Sequence, residues 1–251
     1  MTRSLRLLPH AALLLLAFSS AGSIACAFLV VALGQMKRPR QTSVCLSMVA
    51  AEAEAEPETK IAKPSPAVSS ASFEDAQAIG RDLATMLTAS CTDGEPMPAE
   101  ATALLRELVS QTAGARGWFV SLLTTPEFEP VFVPPLDESL LTALCDAPDP
   151  NVGLVTMNVA MPVATELTHL DMGNRELAAG SAMTARRATV LAEELLARLP
   201  GLRASFEGLL SAVDGREEGA DEEWTTFCDK WGYGQEQKRA IQKAVEKILI
   251  E

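Results

Sequence analysis

The sequence predicts an all-α fold: a multi-helix globular domain closed by a C-terminal helical pair. Three observations carry this. From residue 73 onward, apolar residues recur at spacings of three and four. No strand signal of matching strength appears beside them. Hydrophobic residues make up 48% of the 251-residue chain, which is enough to fill a core and excludes a wholly disordered protein.

Taken in order, Ser72-Phe73-Glu74-Asp75 has the form of a capping box with Asp in place of Glu. Ala76, Ile79, Leu83, Met86 and Leu87 follow at helical spacing, and Asp93-Gly94-Glu95-Pro96 breaks the chain. A second helix is expected over 98–113, burying Leu104, Leu105, Leu108 and Val109. The segment 115–123, with Trp118, Phe119 and Val120, reads as a short helix or a strand. Four prolines (126, 130, 134 and 135) deny 124–135 a place in a central strand. It is expected as an extended loop over the helices, with Phe128 and Phe132 plugging gaps.

Asp137 is placed to cap a helix containing Leu140, Leu141 and Leu144, and Pro148 and Pro150 suggest a break over 146–151. Residues 151–165 carry no charge and are apolar on every side, as a central, surrounded helix would be. Pro162 is expected to kink it or to mark a join. A long helix over 174–199 follows, ended by Pro200-Gly201. Its small residues Ala178 to Ala182 suggest a close crossing with the preceding helix. Another helix reaches Val213, and 214–223 is a charged connector. The last section, 224–251, reads as a helical pair with Trp224, Phe227 and Trp231 on one stripe, a turn at Gly232-Tyr233-Gly234, and Ile241, Val245, Ile248 and Leu249 inward. The polar connector suggests that this pair is semi-independent.

The N-terminal fifth has a different composition. Residues 1–51 contain no Asp or Glu, although the chain has 33 of them. Arg3 and Arg6 precede an apolar block from Ala11 to Phe18, and small residues lead to Ala25-Cys26-Ala27. This is the order of a signal peptide, 1–27, cut before Phe28. Residues 28–48 continue without acids and carry Lys37, Arg38, Arg40 and neighbouring hydroxylated residues, which is transit-peptide chemistry. A signal peptide, then Phe28, then a basic hydroxylated stretch resembles the bipartite plastid presequence of algae with complex plastids. In that group an aromatic residue directly after the signal cleavage carries the import decision. The resemblance implies delivery to the plastid stroma through the secretory route. Two other destinations compete: secretion, or anchoring in a membrane by the uncharged run 11–34. Residues 49–72, rich in Ala, Glu, Pro and Ser, read as a disordered linker.

Charge narrows the function further. A cut near Ser47 removes five of the 21 basic residues and none of the 33 acidic ones, so the formal charge moves from −12 to −17. A nucleic-acid partner bound through its phosphates is excluded by that balance. No glycine-rich phosphate loop and no Gly-x-Ser-x-Gly motif occurs. Glu166 and His169 lie three apart on one helical face, one of the two Glu-x-x-His motifs that a di-iron bundle needs. They are the candidate metal ligands, with Asp171 and Glu176 as further carboxylates, although His169 is the only histidine besides His10. Cys91, Cys145 and Cys228 are candidates for a redox pair. Arg186 and Arg187, with Arg175 and Arg198, form the most basic patch. They suit an anionic partner, or ion pairs with Glu176, Glu193 and Glu194 on a solvated face.

The expectation is therefore a non-enzymatic plastid protein without a cofactor. It would act in the assembly, stabilisation or regulation of a larger complex, through a protein partner bound at Trp224, Phe227, Trp231, Arg186 and Arg187. Peripheral contact with a membrane stays open. The alternatives are a metal- or cofactor-binding helical protein centred on Glu166 and His169, and an enzyme working through scattered carboxylates. A fluorescent fusion of residues 1–50 is expected to reach the plastid, and its Phe28→Ala form to stop in the secretory pathway. The same destination for both refutes the plastid address.

Overall fold

The computed structural model describes Val68 and residues 71–214 and 221–250. The presequence, nearly all of the linker and connector positions 215–220 lie outside the described residues. Within them the fold is all-α, and no strand occurs among them. In chain order the helices are α1 (Phe73–Asp93), α2 (Ala99–Val109), α3 (Thr112–Thr124), α4 (Glu138–Cys145), α5 (Pro148–Asp171), α6 (Arg175–Leu195), α7 (Leu202–Val213), α8 (Glu222–Trp231) and α9 (Gln235–Ile250). A 3-10 segment, Pro126–Phe132, lies between α3 and α4.

Helix starts follow from side chains that satisfy otherwise unpaired backbone N–H groups. Ser72 Oγ accepts from Asp75 N at 3.1 Å, and its hydroxyl donates to the Asp75 carboxylate at 2.8 Å. Asp137 Oδ1 accepts from Ser139 N at 2.8 Å, Asn174 Oδ1 from Leu177 N at 3.1 Å, and Asp221 Oδ1 from Trp224 N at 3.1 Å. Helix ends at Gly94 and Gly232 use left-handed backbone (φ 74° and 62°), which glycine adopts without a Cβ penalty.

Four local expectations are corrected. The helix expected over 98–113 ends at Val109, where the chain turns at Ser110-Gln111, and the element expected over 115–123 is a helix, α3, that already opens at Thr112. A Cβ on Gly114 would lie 2.0 Å from the Leu108 carbonyl oxygen, so the reversal is tight. The proline-rich loop is not extended: Pro126–Phe132 is 3-10, a conformation that proline's fixed φ also fits. Its expected plugs are real, with Phe128, Val131 and Phe132 buried. The break expected over 146–151 is confined to Asp146-Ala147, and Pro148 and Pro150 already lie in the first turn of α5, whose N–H groups have no intrahelical acceptor. Pro162 marks no join, since α5 runs through it as one helix.

Helices α5 and α6 form the central hairpin and the most extensive pairing, and α1 against α3 is the next. The uncharged run in α5 is enclosed: Leu154–Thr156 and Asn158–Pro162 are buried. Of the small residues Ala178–Ala182 only Ala178 is buried, and a further close backbone approach occurs between α1 and α3. A Cβ on Gly117 would sit 2.7 Å from Ala76 Cβ and 2.8 Å from the Ala76 carbonyl carbon. Gly80 faces the Trp118 Cα, and Ser121 Oγ donates to the Gln77 carbonyl at 2.9 Å. Ala179 and Gly180 are instead exposed, and nothing lies within 4 Å of a Cβ on Gly180.

The C-terminal pair is present, but its apolar side belongs to the main core. Ile241, Val245 and Ile248 have no exposed surface and join the same cluster as Leu83 and Phe206. Helix α9 packs on α5 and α7, and α8 packs on α7. Gln237 fixes the start of α9 twice over, accepting from Gly234 N and donating to Ala164 O and Thr168 Oγ1 on α5. Among the described residues no helix is long and apolar enough to cross a membrane.

These contacts set opposite outcomes for two glycines. Gly117→Ala forces α1 and α3 apart and is expected to cost about 1–3 kcal/mol. Gly180→Ala removes only backbone freedom from an exposed helical position and is expected to stabilise by about 0.5–1 kcal/mol. Urea unfolding of both variants checks the pair.

Candidate functional site

The strongest concentration of polar interactions gathers around Arg187 on α6. Its side chain has no exposed surface. Nη1 donates to the carbonyls of Leu122 (3.4 Å), Leu123 (3.2 Å) and Thr125 (2.7 Å), and Nη2 donates to Pro126 O at 2.9 Å. The last carbonyls of a helix lack intrahelical donors, so Arg187 closes the C-terminus of α3, where a cation is also favoured by the helix dipole. Its Nε donates to Glu129 Oε2 at 3.1 Å, and its guanidinium carbon lies 5.1 Å from the centroid of the Phe132 ring. Arg186 Nη2 donates to both oxygens of Glu129, at 2.6 and 2.7 Å. Glu129 therefore bridges two arginines from the 3-10 segment.

The electrostatics follow the geometry. The hydrogen bond from Arg186, with that from Arg187, holds the Glu129 carboxyl below the usual carboxylate range. Burial pulls the Arg187 pKa down and the bond to Glu129 opposes it. Three of the four arginines expected to pair with Glu176, Glu193 and Glu194 thus pair elsewhere: Arg186 and Arg187 with Glu129, and Arg198 with Glu138 at 2.8 Å. Glu193 instead takes Lys247 of α9 at 3.0 Å.

Asn151 on α5 repeats the device. Fully buried, its Nδ2 donates to Val109 O (3.2 Å), Leu144 O (3.2 Å) and Ala147 O (2.7 Å). Val109 and Leu144 lie at the C-terminal ends of α2 and α4. One polar side chain from each helix of the central hairpin therefore finishes the helices packed beside it. Asn151 Oδ1 and Trp118 Nε1 are buried without a hydrogen-bond partner.

Residues 72–248 match the family model described as Uncharacterised conserved protein UCP020893. The chain belongs to that family. No curated protein and no solved structure matches it. The matched span of this UCP020893 member opens at the N-cap of α1 and closes near the end of α9, so the family unit coincides with the helical body.

In this family member the candidate metal ligands Glu166 and His169 are half-buried near the end of α5, and His169 Nδ1 lies 3.2 Å from Ser181 Oγ on α6. Among the described residues no group of three or more His, Cys, Asp or Glu is placed to hold an ion. Cys91 is exposed, Cys145 half-buried and Cys228 buried, and all three are free thiols. Burial pushes each thiol's pKa up, which lowers the thiolate fraction that reacts.

The docking candidates divide. Trp224 is buried against α7 and Arg187 is interior, so neither belongs to a surface. Phe227 and Trp231 are half-buried, with ring centroids 6.5 Å apart, and Phe227 also meets Trp224 and Tyr233 edge-on. Arg186 is half-exposed. Large apolar side chains that the sequence reading did not single out stand in solvent: Met172 (74% exposed) and Leu170 (48%) at the α5–α6 turn, with Val133 and Ile250. Glu129 and Asn151 were also missed. A lone Glu among prolines and an Asn in a helix's first turns give no pattern to search for.

Replacing Arg187 with Met is expected to cost about 1–3 kcal/mol, because it takes a donor from the buried carbonyls at the end of α3 while Glu129 keeps Arg186. Arg187→Lys keeps the charge but not the fork, and recovers only part of that loss. Since the folded-state pKa of Glu129 is depressed, its contribution is present above the ordinary carboxylate range. It is lost as pH falls through the folded value. Glu129→Gln is therefore expected to be less stable near neutrality, with a smaller further loss toward pH 3, in urea titrations at each pH.

Proposed function

We propose that this UCP020893 member is a non-enzymatic plastid protein that acts in the assembly, stabilisation or regulation of a larger complex. The observation that carries the reading is the outward placement of Leu170 and Met172 at the α5–α6 turn. Neighbouring apolar side chains standing in solvent at one turn mark a surface that gains by being covered. The half-buried ring of Trp231 is the second element, since an aromatic of this kind anchors protein interfaces. The division of labour within the molecule supports the same reading. Two of its buried polar side chains, Arg187 and Asn151, are engaged with helix ends. The stromal address rests on the presequence resemblance, and the acidic mature surface favours a protein partner over nucleic acid.

Affinity purification of the tagged mature chain from plastids is expected to recover a stoichiometric partner in a complex larger than the protein itself. Met172→Glu and Trp231→Ala, each retaining the wild-type unfolding midpoint within a few degrees, are expected to weaken that recovery by about tenfold or more. Recovery of the protein alone, or recovery indifferent to both variants, contradicts the proposal.

A further inference from the structure

We draw no further inference here: the strongest candidate, the groove between α7 and α9 lined by Glu207, Leu210, Ser211, Asp214, Gln242 and Glu246, is an acidic cluster with no second feature pointing to a ligand, and nothing in the structure shows what covers it.

Discussion

A guanidinium with no exposed surface joins α6 to the end of α3 and the start of the 3-10 segment. Taking a charge out of water is expensive, and it persists only when every donor finds an acceptor. Arg187 meets that demand by spending its donors on backbone carbonyls at the end of α3 and the start of the 3-10 segment, of which Thr125 O also accepts from Phe128 N at 3.2 Å. Solving its own desolvation also solves the helix-end problem, and it fixes where the proline-rich segment lies. The Glu129 carboxylate balances the charge from the outer side, shared with Arg186. The contact thereby ties α6 to α3, and through the 3-10 segment to α1.

Two further constraints act around that junction. The α1–α3 crossing is so close that Gly117 and Ala76 leave no room for one added carbon, so this face is set by sterics and by the Ser121–Gln77 hydrogen bond. On the other side, Asn151 from α5 reaches the ends of α2 and α4. The hairpin of α5 and α6 is therefore the frame on which the short helices terminate. Helix α9 then covers α5 and α7 with Ile241, Val245 and Ile248.

Much of this was legible from local chemistry. The caps at Ser72 and Asp137, the glycine stop at Gly94 and the apolar stripes of α1, α4 and α9 depend on residues within a few positions of one another, and periodicity reveals them. The enclosed character of α5 was equally readable, because an uncharged run must be surrounded. What escaped depends on partners distant in sequence. Arg187 and Glu129 are 58 positions apart, and beside Arg186 the arginine looked like half of a surface patch. The small residues of α6 resembled a crossing point, yet Ala179 and Gly180 face solvent while the tight contact uses Gly80 and Gly117. Composition records which residues permit close approach, and only the topology decides which of them are used. In the candidate site, the stripe Trp224/Phe227/Trp231 was found from spacing, but its division into a buried and a half-buried part was not. Met172 and Leu170 gave no sign in sequence, since an exposed apolar residue and a core residue share the same letter.

The claim on which the rest depends is that Arg187 is sequestered and fully bonded in the native protein. Side-chain proton exchange of the arginine Nε–H groups, followed by nitrogen-resolved NMR at neutral pH, tests it directly. One arginine Nε–H signal, assigned to Arg187 by its absence from Arg187→Lys, is expected to exchange orders of magnitude more slowly than that of the half-exposed Arg186. An Arg187 signal exchanging as fast as that of Arg186 would contradict it.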